Sequence, residues 1–361
     1  MGRQGCGKDS GGFKNSGGIK MSNITVNTIK ENIDKDQWRA LEKSSTANFF
    51  QTEDCYDFYE SLPRVFNPFV VSVNENGVLK GVAIGYVTKT RPIVKQKLTR
   101  RAIIIGGPML ADDISQEALR ALLENVRSLL KRKTIYIETR NFNDYSKHKS
   151  LFESCGFKYQ EHLNFKIDTT SEEVVSENMG KSRKRDAKAA LRKGAVIDEE
   201  PNYEDIRAYY LILRKLYKTR VKTPLFPLSF FKRLYENDYC KFVLVKHEGK
   251  VIGGTVCVGH GGKTLYEWFA CGEDHEYKYL YPSNLATYAG IMYAAKHGYE
   301  CFDMMGAGKP DEGYGVREFK AKFGGKLVEH GRFLCVNKRV LYFIGKCAKI
   351  VINKWNPLNI K

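Results

Sequence analysis

The chain repeats itself, and a repeat restricts the fold more than any bulk property. "FVVSVNENGVLKGVAIGYV" (69–87) and "KFVLVKHEGKVIGGTVCVG" (241–259) alternate Val/Ile positions around a polar turn that ends on glycine. That is the pattern of a strand–turn–strand hairpin. The turn glycines, Gly77 and Gly249, stand 172 residues apart. A second match follows: "YSKHKSLFESCGF" (145–157) and "YGVREFKAKFGG" (314–325) each start a short helix at Tyr and stop it at glycine, with Gly156 and Gly324 168 apart. Between these landmarks each half has a longer helix and then a strand, "SQEALRALLENVRSLLKRK" with "TIYIETR", and "SNLATYAGIMYAAKHG" with "ECFDMMG". Two matches at nearly equal offset, in one order of elements, predict a duplicated domain. Each half reads hairpin, strand, helix, strand, helix, strand. That order gives an α/β or α+β layered fold, a mixed sheet covered by helices.

The expected division is a disordered leader (1–20), a first domain (21–170), a basic interdomain helix (171–194), a second domain (195–337) and a basic C-terminal segment (338–361). The leader, "MGRQGCGKDSGGFKNSGGIK", contains seven glycines and no hydrophobic segment, so it reads as neither signal peptide nor strand. It approaches a myristoylation signal but has Cys6 where Ser or Thr is needed, and Met21 is a credible alternative start.

Composition excludes several classes of function. No apolar run approaches the ~20 residues that span a bilayer. The nine cysteines are odd in number and form no CxxC pair, which reads as reduced thiols of a cytosolic protein. Seven scattered histidines without HxxxH or HExxH give a metal site no support. No GxSxG elbow or Walker A sequence occurs. The formal charge of +18, from 59 Lys+Arg against 41 Asp+Glu, suits a polyanionic partner such as tRNA, anionic lipid or a phosphorylated substrate.

Two stretches carry candidate chemistry. In "GVREFKAKFGGK" (315–326), after a glycine-rich loop, Phe319 and Phe323 at helical spacing suit a core while Lys320 and Lys322 face water. The alternative aims Lys320 at an anion, or at an oxygen that becomes one. In "SEEVVSENMGKSRKRDAKAALRKG" (171–194) seven cations fall within thirteen residues, Lys181, Arg183, Lys184, Arg185 and Lys188 among them. They form either a solvated helix face or a helix that tracks phosphates beside the interdomain cleft.

The order of elements resembles the GNAT acyltransferase fold. The segment 264–325 further resembles the Fem (FemABX) transferases. It has aromatics before a glycine-bearing turn, "YPSNL" at a helix start, "FDMMG", a glycine-rich loop and a Phe-Lys pair. "NFFQT" (48–52), "GGP" (106–108) and "KSRKRDAKAALRKG" (181–194) also resemble family landmarks. The resemblance covers most of 35–335. It implies two tandem GNAT-like domains that move an amino acid from aminoacyl-tRNA to an amine on a peptidoglycan or related envelope precursor, without metal or prosthetic cofactor. It implies that Lys320 of the Phe319-Lys320 pair neutralises charge developing in acyl transfer, a role that a fixed cation suits. It also implies an acceptor-side Trp268, with Tyr266 beside it, and a basic position at Arg220.

Departures from the family pattern bear on the acceptor. Members acting on a nucleotide-linked muramyl peptide hold phosphate with an arginine and the peptide with a tyrosine, at positions that here carry Phe226 and Phe230 in "FPLSFF". Too few residues separate "LYKTR" from the hairpin at 241 for the family's coiled-coil arm. The general base is not visible: Asp112, which matches an acidic family position, and Asp303, which ends a strand, are candidates to take the amine's proton, yet Asp beside a glycine turn is more often a turn former, and the substrate itself is the other candidate. The C-terminal 338–361 has six basic residues and no acidic one, with Val340, Phe343, Ile344, Ile350, Val351 and Trp355 on its apolar side. It either docks on the body or lies on an anionic membrane surface, which would suit a lipid-linked acceptor and a cytoplasmic protein peripheral to the inner face. Two other readings stay open: an acyl-CoA-dependent N-acyltransferase on an amino sugar, which lacks the Q/R-x-x-G-x-G/A pyrophosphate loop, and a non-catalytic RNA- or membrane-binding protein.

Overall fold

The computed structural model describes residues 23–89, 99–221 and 223–354. The leader and Trp355 lie outside them. The first sheet contains β1 (Ile24–Asn27), β2 (Phe66–Glu75), β3 (Val78–Thr88), β4 (Arg101–Gly106), β5 (Met109–Leu110), β6 (Tyr136–Asn141) and β7 (Lys158–Gln160). The second contains β8 (Leu163–Asp168), β9 (Ala195–Asp198), β10 (Cys240–His247), β11 (Lys250–His260), β12 (Thr264–Gly272), β13 (Cys301–Gly306) and β14 (Lys326–Glu329). The last strand, β15 (Arg332–Val336), returns to the first.

Both expected hairpins form. Asn76-Gly77 and Glu248-Gly249 take positive φ at both turn residues (53° and 82°, 50° and 76°), the geometry whose twist matches that of the strands it joins. The pairing of β2 with β3 and then β4 is repeated by β10, β11 and β12, and in each half one parallel pair follows, β4 with β6 and β12 with β13. The helices Gln116–Leu130 and Pro282–Lys296 connect those parallel strands, as a parallel crossover requires. Ser115 caps the first of them by accepting from the Ala118 N–H.

The sheets depart from the sequence division at 170/171 and 337. Between β6 and β7 lies β15, from the far end of the chain; between β13 and β14 lies β8, from the first half. The two halves have thus exchanged one strand each. The crossovers touch, the Gly331 N–H donating to the His162 carbonyl (3.2 Å). Gly331 has φ 63°, and a Cβ there would fall 2.3 Å from the Tyr159 ring, so the crossing needs glycine. A strand pattern reports burial and alternation but not which sheet supplies the partner, and the division drawn along the sequence missed the exchange for that reason.

Three of the four apolar clusters among the described residues hold the sheets and halves in this arrangement. Helix Gln116–Leu130 packs Leu119, Leu122 and Val126 on the first sheet, and helix Pro282–Lys296 packs Ala289 and Ile291 on the second. The third is largely aromatic and joins the halves, with Phe50 against Tyr266 (5.7 Å between centroids) and Phe58 against Phe230 (5.3 Å). The C-terminal helix Arg339–Lys354 rests its first turn on the body through Tyr342 and Tyr136 (5.4 Å), and leaves Val340, Phe343 and Ile344 exposed. Among the described residues no helix is long and apolar enough to cross a membrane.

The exchanged strand β15 is anchored by Phe333, fully buried and stacked on Phe152 at 4.1 Å. Phe333→Ala should lower stability by about 3–5 kcal/mol, read from the midpoint of urea unfolding followed by a first-half probe.

Candidate functional site

A cavity of about 1230 Å³ opens between the two sheets, lined by residues of both. Two irregularities in the second sheet shape its wall. Along β11 and β12, Val256 faces Phe269 and Cys257 faces Glu267, so Trp268 is an extra residue in its strand. Such a bulge redirects side chains that would otherwise alternate, and Glu267 and Trp268, though adjacent, both line the cavity. In β13 the register slips between Asp303 and Gly306 against β8, and Met305 takes a left-handed φ of 57°.

That second irregularity holds a cation. Lys320, near the end of helix Gly315–Ala321, donates from Nζ to the Met304 carbonyl and to the Gly306 carbonyl (2.9 Å). An ammonium has three N–H donors, so one remains for a ligand in the cavity that Lys320 lines. Burial lowers its pKa, opposed by the negative charges of Glu267 and Asp303. Glu267 is buried and accepts from Thr287 Oγ1 (3.0 Å) and Thr255 Oγ1 (3.4 Å). Burial raises its pKa, and Lys320 and the two threonines pull it back only in part. The result is a carboxylate beside an ammonium, each shifted toward neutrality by desolvation.

The sequence candidates divide between the cavity and the framework. Lys320, Phe319, Trp268, Arg220 and Phe226 line the cavity. Arg220 is exposed, on the π-helical turn Tyr217–Val221, and Phe226 stacks on Phe230 at 4.3 Å. Phe230 itself is fully buried in the joining layer, and Tyr266, also buried, stacks on Phe142 at 5.2 Å. Both therefore fill core instead of lining the cavity, because their strand and helix positions face the other half of the molecule. Asp112 is exposed and not on the cavity; it accepts from the Ser45 N–H (3.1 Å) and Oγ (2.5 Å), a tie to a loop 67 residues earlier in the chain. These hydrogen bonds lower its pKa, which weakens it as a base.

Asp303 is buried behind the wall. One oxygen accepts from the Met305 N–H (2.7 Å) and pins the left-handed turn, while Oδ2 has no partner. Burial raises its pKa to about 6. The basic helix forms as Lys181–Arg192, with Lys181, Arg185 and Lys188 exposed. Lys184 bonds the Ser176 carbonyl (2.7 Å), and Arg185 also pairs with Asp186 (3.0 Å). Arg183 turns the other way and lays its guanidinium over Phe319 (4.4 Å) and Phe323 (5.1 Å), clamping the helix that carries Lys320. Sequence reasoning passed over Glu267. A lone acid in the middle of "TLYEWFACG", an otherwise apolar strand, was the signal that could have found it.

Residues 179–320 match the family described as acetyltransferase (GNAT) domain. A tandem GNAT protein from the clavulanic acid biosynthesis pathway superposes with TM-score 0.55 at 12% identity, covering 87% of this chain and 99% of that one. The chain has a tandem GNAT fold. FemX superposes on it with TM-score 0.66 at 15% identity, over 86% of this chain and 98% of FemX. The C-terminal domain of a putative lysylphosphatidylglycerol synthetase from Agrobacterium fabrum does so with TM-score 0.52 at 13% identity, over 74% and 85%. No curated protein matches the sequence. The Fem-like architecture expected from the sequence is thus present at the level of fold, and the cavity lies where the two sheets face each other.

Asp303 makes the stability of the protein depend on pH. Its folded pKa of about 6 exceeds the ordinary 3.8, so between these values the folded protein binds more protons than the unfolded chain and stability falls as pH rises. Asp303→Asn keeps an acceptor for the Met305 N–H and should remove that fall. Melting temperatures at pH 4.5 and 7.5 check this: the variant should gain on the native protein at the higher pH.

Proposed function

We propose that the protein is an acyltransferase that moves an aminoacyl group from aminoacyl-tRNA to an amine on a peptidoglycan or related cell-envelope precursor. The observation that carries this reading is the Lys320 ammonium, fixed by two backbone carbonyls in the wall of the inter-sheet cavity with Glu267 beside it. The amine nitrogen attacks the ester carbonyl carbon, a C–N bond forms, and the carbonyl oxygen becomes anionic next to Lys320. A preorganised cation favours that state over the ground state. Glu267 takes the proton the amine loses. Collapse breaks the ester C–O bond, and the departing ribose oxygen takes up a proton. Phe319 and Trp268 narrow the cavity against water, which competes with the amine.

The donor assignment has two supports. The exposed cations Lys181, Arg185 and Lys188 lie on the helix whose Arg183 packs against Phe319, so a surface suited to RNA phosphates adjoins the cavity. Against acyl-CoA, the helix start that could receive a pyrophosphate is occupied. Asp274 accepts there from Ser283 N (3.0 Å) and Oγ (2.6 Å), and Pro282 offers no N–H. The exposed Val340, Phe343 and Ile344 on the basic C-terminal helix support peripheral contact with an anionic membrane.

The test is to incubate the protein with aminoacyl-tRNA or acyl-CoA and envelope precursors, and to identify products by mass spectrometry. An amide formed only with aminoacyl-tRNA is expected; one formed only with acyl-CoA would reverse the donor assignment. Lys320→Met should lower turnover about a hundredfold, ~3 kcal/mol of transition-state stabilisation, with an unchanged fold by circular dichroism. The kcat/KM profile should rise on the acid side above the ordinary carboxylate range as Glu267 ionises, and fall on the alkaline side below the ordinary lysine range as Lys320 loses its proton. In Glu267→Gln the acid limb should disappear along with most of the rate.

A further inference from the structure

The first-sheet wall of the cavity carries more positive charge than its acids balance. Arg101 opens β4, Arg140 lies on β6 and Arg332 opens β15, and all three line the cavity. One carboxylate serves them. Glu138 accepts from Arg332 Nη1 (2.7 Å) and from Arg140 Nη2 (3.1 Å). Burial would raise its pKa, yet Arg140, Arg332 and Arg101 hold it down at about 2, so it is ionised at neutral pH. The remaining neighbours are uncharged. Arg101 Nη1 donates to the Tyr136 hydroxyl (3.0 Å), and Arg332 Nη2 donates to His162 Nε2 (2.7 Å). Burial and Arg332 push the His162 pKa down to about 4, which keeps the ring neutral and accepting. Three guanidinium groups thus face one carboxylate, and Arg332 Nε is buried with no partner.

Cations out of bulk water are costly unless an anion joins them, and guanidinium forks match phosphate oxygens in geometry. We propose that Arg101, Arg140 and Arg332 form the subsite for a phosphate or diphosphate group of the acceptor substrate. This rests on the reading of the cavity as an acyl-transfer site and names the acceptor's chemistry. The cluster belongs to the first sheet, whereas Lys320, Glu267 and the basic helix Lys181–Arg192 belong to the second half, so donor and acceptor enter from opposite walls. It also accounts for Phe226 and Phe230. Where related proteins are expected to hold phosphate with an arginine, this chain has an aromatic stack, and the charge is supplied instead from the strand crossover, by Arg332 beside His162.

The test reads binding, not turnover, so its result is separate from that of the acyl-transfer assay. The full chain is titrated calorimetrically with inorganic pyrophosphate at low salt. Arg101→Met removes one guanidinium and its bond to the Tyr136 hydroxyl but leaves both arginines that hydrogen-bond Glu138, and it should weaken binding at least tenfold. Glu138→Gln removes the competing carboxylate and should tighten binding several-fold, a gain that misfolding cannot produce. Displacement of pyrophosphate by a soluble nucleoside diphosphate would identify a soluble acceptor. Displacement by a polyprenyl diphosphate in phosphatidylcholine vesicles would identify a lipid-linked one. Either result supports the subsite. Displacement by neither, displacement by uncharged tRNA alone, or affinity unchanged in both variants overturns it.

Discussion

An ammonium held away from bulk water needs acceptors, and much of the second-sheet wall can be traced to providing them for Lys320. Side chains alone do not do it. The chain inserts an extra residue in β13, turns Met305 into the left-handed region and so brings the carbonyls of Met304 and Gly306 to one nitrogen. A non-glycine residue in that conformation costs roughly 1 kcal/mol or more. Asp303 offsets part of the cost by accepting from the Met305 N–H, and its own charge helps keep the lysine protonated. The buried acid and the strained turn are parts of one support.

The opposite wall obeys a different logic. Around Lys320 the charges nearly cancel, Glu267 and Asp303 against Lys320 and Lys166. Around Arg332 they do not, with three arginines on Glu138. A cavity with one balanced wall and one cationic wall distinguishes two roles. The balanced wall suits charge that appears and vanishes during a reaction, because desolvation shifts Glu267, Asp303 and Lys320 each toward the neutral form. The cationic wall holds a charge that is permanent. The bulge in β12 matters here because it turns Glu267 and Trp268 into the same space.

Much of this was legible in the residues. The duplicated hairpins and the helices between the parallel strands follow from local patterns of alternation, turn glycines and helical spacing, whereas the Phe319-Lys320 pair is read from the family resemblance, since spacing alone leaves Lys320 facing water. What escaped was nonlocal. Leu163–Asp168 and Arg332–Val336 read as ordinary strands, and nothing in their own residues says that each pairs in the other half's sheet. Tyr266 and Phe230 look like pocket aromatics because sequence cannot separate an aromatic facing a cleft from one facing a second domain. Arg183 sat among cations and was counted with them, although it is the one that turns inward onto Phe319. The arginine cluster has contributions from β4, β6 and β15, so it exists only once the strand exchange has occurred.

The exchange also has a consequence in time. When the ribosome has produced β7, the strand that must lie between it and β6 is still about 170 residues away. At roughly 5–20 residues per second, the first sheet waits some 10–30 s with a gap at its end. During that interval the edges of β6 and β7 are unpaired and open to pairing with other nascent chains. The first half cannot complete its sheet as an independent unit during synthesis. Strand β15 closes the first sheet, so the first half reaches its final form only after the second half has been made.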